Sequence, residues 1–223
     1  MIPIRDDNPT RTAAFVTIAL IVANALAFFY ELSLPPGNGV ESFFADFALI
    51  PVNVTHAPSV GELRSVFTSM FLHGGWLHLI GNMWFLWIFG NNVEDSVGHF
   101  KFILFYLLCG VAAGVAQVAS APESHVPMIG ASGAISGVLG AYLLLYPRAR
   151  VLVLIPIWII LKFLYVPAWL LLIFWFALQL FSGWAMVGAA QSGGVAFWAH
   201  VGGFVAGIAL IPLFKKRYVR LFQ

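Results

Sequence analysis

With 61% of its 223 residues hydrophobic and only 9% charged, this chain departs from a soluble domain of its size, which would carry roughly 25% charged residues. A mean hydropathy of +0.93 points instead to a single compact domain, residues 1–223, held in a membrane. The formal net charge of +2 is too small to recruit nucleic acid, and the single cysteine, Cys109, excludes an internal disulfide and a cysteine-based metal knuckle.

Crossing a bilayer takes about 20 apolar residues. On that measure the sequence predicts an all-α polytopic fold with six membrane helices, over 13–33, 76–94, 99–120, 130–147, 165–184 and 195–214. Arg5, Asp6, Asp7 and Arg11 precede the first run, and Tyr30-Glu-Leu-Ser-Leu-Pro-Pro36 follows it where a signal peptide would show a small-residue cleavage site. The first run therefore reads as an uncleaved span. The connection over 34–75 is long and contains two apolar pieces, Phe43 to Ile50 and Val66 to Leu72, each too short to cross. They are expected to lie at the interface or partly buried in the membrane surface.

The second run opens with Leu72-His-Gly-Gly-Trp-Leu-His-Leu-Ile-Gly-Asn82. His78 and Asn82 are four residues apart and share one helix face. The fourth run holds Pro127-Met-Ile-Gly-Ala-Ser-Gly-Ala-Ile-Ser-Gly-Val-Leu-Gly-Ala141, four glycines and two serines where leucines would span lipid better. Each glycine costs a helix about 1 kcal/mol relative to alanine, so the stripe implies close packing, chemistry at a serine, or both. After it, Pro156, Lys162 and Pro167 interrupt a long apolar stretch, so 148–164 is expected to be a membrane-associated loop with the fifth span starting near Tyr165. The sixth run begins with Trp198-Ala-His-Val-Gly-Gly-Phe204.

Basic residues set the orientation. Ten of the eleven (Arg5, Arg11, Lys101, Arg148, Arg150, Lys162, Lys215, Lys216, Arg217 and Arg220) fall on the side of the two termini, and only Arg64 falls on the other. Both termini are thus predicted to be cytoplasmic, and the second, fourth and sixth spans all begin outside. His78, Asn82, Ser132 and His200 then lie at similar depth in the outer half of the bilayer. Polar groups there are expensive and normally face a bundle interior or a wet cavity.

A serine becomes a nucleophile when a nearby base takes its proton, and histidine suits that role near neutral pH. His78, Asn82 and the amides opening the fourth span could hold an oxyanion, helped by the positive end of the helix dipole. The acids fall in tails, loops or span ends, so a Ser–His dyad is expected, with no buried carboxylate beside the histidines. A metal hydrolase built on His73, His78 and His200 would lack both an HExxH motif and such a carboxylate. No paired broken helices mark a transporter.

At these residues the sequence resembles the rhomboid family of intramembrane serine proteases. The resemblance rests on six spans, a long first external connection, Gly130-Ala-Ser-Gly133 opening the fourth, and His200, Gly203 and Gly207 in the sixth. His73, His78 and Asn82, followed by Gly90-Asn-Asn-Val-Glu94, complete the pattern in the second. It implies Ser132 as nucleophile, His200 as general base, and His78 and Asn82 with the Ser132 amide as the oxyanion site. His73, Gly130, Gly133, Gly203 and Gly207 would support it structurally. It further implies transmembrane protein substrates with a single span, cut in or beside that span through an acyl-enzyme, and no cofactor or metal. A prokaryotic plasma membrane, with the active site opening outward, is the expected location. A non-catalytic scaffold binding membrane helices is the alternative. Two departures accompany the resemblance. Ser136 stands where some rhomboids have a tyrosine that stacks on the catalytic histidine, leaving the partner of His200 unnamed, and Leu63-Arg64 replaces a Trp-Arg pair.

Overall fold

The computed structural model describes residues 1–158, 160–185 and 195–223. It is mainly helical. The long helices are α1 (Phe15–Ser33), α5 (Trp76–Val97), α6 (His99–Ser120), α7 (Ser132–Leu145), α8 (Ala168–Ala185) and α9 (Phe197–Phe214). Among the described residues, four helices are long and apolar enough to cross a bilayer, namely α1, α6, α8 and α9. At 14 residues α7 is apolar but shorter, and α5 ends in the acidic pair Glu94 and Asp95.

The connection over 34–75 folds into α2 (Asn38–Phe47), α3 (Pro51–His56), α4 (Val60–Thr68) and a 3₁₀ turn, Ser69–Phe71. Its apolar pieces supply Ala48, Leu49, Met70 and Leu72 to the protein interior. Three backbone links hold it to the segment before α7: an isolated bridge between Leu49 and Met128, a bond of 3.1 Å from Val52 N–H to the Ser124 carbonyl, and one of 2.8 Å from Gly130 N–H to the Ser69 carbonyl.

The all-α expectation needs correction. β1 (Ile2–Asp6), β2 (Arg150–Ile157) and β3 (Ile160–Pro167) form an antiparallel sheet in the order β1-β2-β3. Residues 148–164 are therefore mostly a hairpin, and α8 begins at Ala168 because Tyr165, Val166 and Pro167 are still paired with β2. The strand period of two is real, with Val151 and Val153 buried between partly exposed neighbours. It is invisible in the sequence because both faces of Arg-Val-Leu-Val-Leu-Ile-Pro-Ile are apolar, and because the first strand that completes the sheet lies at the far end of the chain.

Buried side chains tie this end of the molecule together. Asp6 accepts hydrogen bonds from Tyr142 Oη (2.5 Å) and Asn92 Nδ2 (2.9 Å), joining β1 to α7 and α5. Glu94, wholly buried, accepts from the amides of Val16 (2.9 Å) and Thr17 (2.7 Å) and from Thr17 Oγ1 (2.7 Å), and His99 Nδ1 lies 2.6 Å from it. It caps α1 from another helix, meeting amides that have no intrahelical partner and the positive end of the dipole.

The most extensive helix pairing is α7 with α9. A Cβ on Gly203 would strike the Gly133 carbonyl, and one on Gly207 the Gly137 carbonyl. The two backbones touch where side chains would otherwise stand.

Gly207→Ala overpacks the α7–α9 contact and should lower stability by about 2–3 kcal/mol, read as earlier unfolding on titrating denaturing detergent into mild micelles. Burial raises Asp6 from 3.8 to about 6, only partly offset by its Tyr142 hydrogen bond. The fold thus favours the protonated carboxyl, and this contribution is complete below about pH 4 and lost as pH rises through about 6. The melting-temperature difference between wild type and Asp6→Asn should accordingly be more favourable to wild type at pH 4.5 than at pH 8.

Candidate active site

Ser132 is the first residue of α7, where first-turn amides lack intrahelical acceptors. His200 lies in the first turn of α9, and its Nε2 is 2.8 Å from Ser132 Oγ. Helices 68 residues apart in sequence meet here because Gly133 and Gly203 let α7 and α9 close up one turn further in. Gly133 itself faces Ala113 and Ala199, and a Cβ on it would strike the Ala113 side chain at 2.6 Å.

The other nitrogen of His200, Nδ1, is 2.7 Å from Gln179 Oε1 on α8. The Trp175 ring, one turn earlier on α8, lies 5.9 Å from the His200 ring at 35°. Gln179 escaped the sequence reading. The available signal was an amide side chain in an otherwise apolar helix, but nothing in the sequence showed which way it faces. Ser136 donates to the Ser132 carbonyl at 2.6 Å, one turn back, so its hydroxyl is engaged by the helix that carries it.

Asn82 and His78 lie in the first two turns of α5, and with Ser132, His200 and Ser136 they line one cavity of about 1310 Å³. Gly130 shapes its wall. It has φ of +115°, and a Cβ built on it would sit 2.6 Å from His78 Nε2 and 3.5 Å from Asn82 Nδ2. The space a side chain would take is left between the two polar groups.

His73, in the turn before α5, does not reach Ser132 directly but holds Asn82. Its Nδ1 is 3.2 Å from the Phe71 carbonyl, which only accepts, so Nδ1 carries the proton and Nε2 accepts from Asn82 Nδ2 at 3.0 Å. Burial, with the nearby His78 adding to it, lowers the pKa of His73 to about 4, so the ring is neutral at pH 7. Its backbone amide donates to both oxygens of Glu31, at 3.1 and 3.3 Å. Glu31 is only 4% exposed. The expectation that no buried carboxylate lies beside the histidines is thus corrected. Glu31 is at the end of α1, and the turn leading into α5 folds back over it.

The chemistry available here is proton transfer between a hydroxyl and an imidazole, beside donors able to meet negative charge on oxygen. Among the described residues no group of three or more histidine, cysteine or acidic side chains could hold a metal ion.

A rhomboid-domain profile matches residues 60–217, most of the chain, and the protein is accordingly an integral membrane protein of the rhomboid family. Its similarities reach relatives from bacteria and from plant and fungal organelles. Over 139 residues it is 32% identical to the rhomboid protease GluP of Bacillus subtilis, covering 62% of this chain and 25% of that protein. It is 25% identical over 142 residues to the rhomboid protease AarA of Providencia stuartii (58% and 50%), and 43% identical over 70 residues to the chloroplastic Rhomboid-like protein 11 of Arabidopsis thaliana (31% and 25%). The matched stretches thus span between a quarter and half of the length of these relatives.

Gly130→Ala should lower stability by about 1–3 kcal/mol through its φ and its contact with His78, and should shift the His78 ring resonances. Gly81→Ala, inside α5 where a Cβ meets nothing within 4 Å, is the control and should not lower stability, nor move the His78 resonances.

Proposed function

We propose that this protein is an intramembrane serine endopeptidase that cleaves single-span membrane proteins in or near their transmembrane segment. The observation that carries the reading is the 2.8 Å contact between Ser132 Oγ and His200 Nε2 at the wall of a large cavity. The family, which includes named proteases, supports it.

In this reading the six long helices lie across the bilayer as one bundle, five of them spanning it and α7 entering from the cytoplasmic side. Both termini and the β-sheet lie on that side, as the ten-to-one distribution of basic residues favours. A helix of 14 residues is about 21 Å long, less than the roughly 30 Å hydrocarbon core. With its sheet end at the cytoplasmic boundary, α7 stops short of the outer one, and Ser132 lies recessed at the floor of the outward-opening cavity. The chemistry then takes place inside the membrane, where the cavity supplies the water.

Ser132 Oγ attacks the scissile carbonyl carbon while its proton passes to His200 Nε2. The carbonyl oxygen becomes an oxyanion, met by Asn82 Nδ2, His78 and the Ser132 amide. The C–N bond then breaks as His200 gives the proton to the leaving nitrogen, and an ester remains on Ser132. Water attacks that ester, losing a proton to His200. The ester C–O bond breaks, and the proton returns to Ser132 Oγ as the acid product leaves. No metal or cofactor is required. Both ring nitrogens of His73 and of His200 already have protein partners, which disfavours their use as metal ligands.

The test uses purified protein in liposomes with a single-span test substrate. Ser132→Ala and His200→Ala should abolish cleavage, Asn82→Ala should lower kcat by roughly 10²–10³-fold, and Ser136→Ala should stay within several-fold of wild type. Chelators should have no effect. Cleavage by Ser132→Ala at the wild-type rate would sink the nucleophile assignment. Absence of cleavage by wild type, together with no labelling of Ser132 by a fluorophosphonate, would favour the non-catalytic scaffold.

A further inference from the structure

We propose that Gln179 on α8 is a positioning residue that fixes His200 in the one tautomer able to act as a base. The proposal rests on the serine-protease reading above and answers what stands in for the stacking tyrosine that position 136 lacks.

A neutral imidazole carries one proton on one of two nitrogens, and only the bare nitrogen can accept from serine. Gln179 presents its Oε1, an acceptor without a hydrogen, 2.7 Å from His200 Nδ1. With the amide in this orientation, that contact is a hydrogen bond only if Nδ1 bears the proton. Nε2 is then bare and directed at Ser132 Oγ, 2.8 Å away. The opposite tautomer would require the amide to turn over and offer its NH2 to Nδ1, and would put an N–H on the serine.

The ring is held in a second direction. Trp175 and Gln179 are four residues apart and share a face of α8. The indole lies against the imidazole, with centroids 5.9 Å apart, while the amide holds its edge. The tilted indole neighbour and a hydrogen bond at Nδ1 together restrict the imidazole, so α8 supplies the orientation that other serine hydrolases obtain from an aspartate. An amide suits this location. It accepts the hydrogen bond without placing an uncompensated charge at membrane depth. It also stabilises the imidazolium less than a carboxylate would, so the base keeps a lower affinity for protons.

The experiment compares wild type, Gln179→Leu and Gln179→Glu in liposomes with the same single-span substrate, measuring kcat and KM between pH 5 and 9. Nitrogen-15 NMR of the histidine ring in resting wild type is recorded in parallel. The expected result is a roughly 10–100-fold lower kcat for Gln179→Leu, less than loss of a triad carboxylate brings, with KM within about twofold. Gln179→Glu should recover most of kcat and move the acid limb of its pH profile up by about one unit, because a carboxylate at Nδ1 favours the protonated ring. The NMR signature should be that of the Nδ1–H tautomer. An unchanged kcat in Gln179→Leu would overturn the inference. So would equal losses in both variants with the acid limb unmoved, or an Nε2–H signature in wild type. Because the tautomer is read without turnover, failure of the protease reading shows separately, as wild-type protein that neither cleaves nor labels.

Discussion

The site depends on the contact between the backbones of α7 and α9. The carbonyls of Gly133 and Gly137 occupy space that any side chain at 203 or 207 would need. Apolar helices have little reason to associate in lipid, since hydrocarbon tails solvate leucine as well as protein does, so association rests on close packing. Here that packing also sets the distance between Ser132 and His200. A hydrogen bond of 2.8 Å between side chains on two helices tolerates only small changes in the distance between their axes. The nearer pair, Gly133 and Gly203, holds that distance within one turn of Ser132 and His200.

The second arm of the site is built by relay. Glu31 receives the His73 amide, His73 accepts from Asn82, and Asn82 lines the cavity that Ser132 borders. None of these contacts is local in sequence apart from the two-residue reach of His73 to Phe71. The relay joins α1, the turn before α5, and α5, so a polar group at depth is oriented by another that is itself satisfied. This is the condition under which buried polar networks rigidify a site and do not weaken it. Glu94 plays the same part at the other end, closing the first turn of α1 with a side chain from α5.

Three groups converge on His200: Ser132 from α7, and Gln179 and Trp175 from α8. The His200 ring is therefore held among α7, α8 and α9, and the position of α8 enters the geometry of the Ser132–His200 contact. The β-hairpin that precedes α8 is paired to the N-terminal strand, and that strand is bonded through Asp6 to Tyr142 near the other end of α7. Parts far from the cavity thus fix the start of the helix that carries Gln179 and Trp175 to His200.

By itself the sequence determined where the long helices lie, because an apolar run of the right length is a local property, and which residues were too polar to be idle among them. Ser132, His200, His78 and Asn82 stood out for that reason, and the glycines around Ser132 and at 203 and 207 announced close packing without naming the neighbour. Only the tertiary structure decided the rest. It gave the sheet, whose first strand pairs with residues about 150 positions away and whose apolar faces conceal the strand period. It also gave the buried Glu31 beneath His73, and Gln179 at His200. In each case the deciding quantity is a direction or a distance between elements remote in sequence. A linear pattern records which side chains are present and how often they recur, whereas the partner of a hydrogen bond is fixed by how the helices pack.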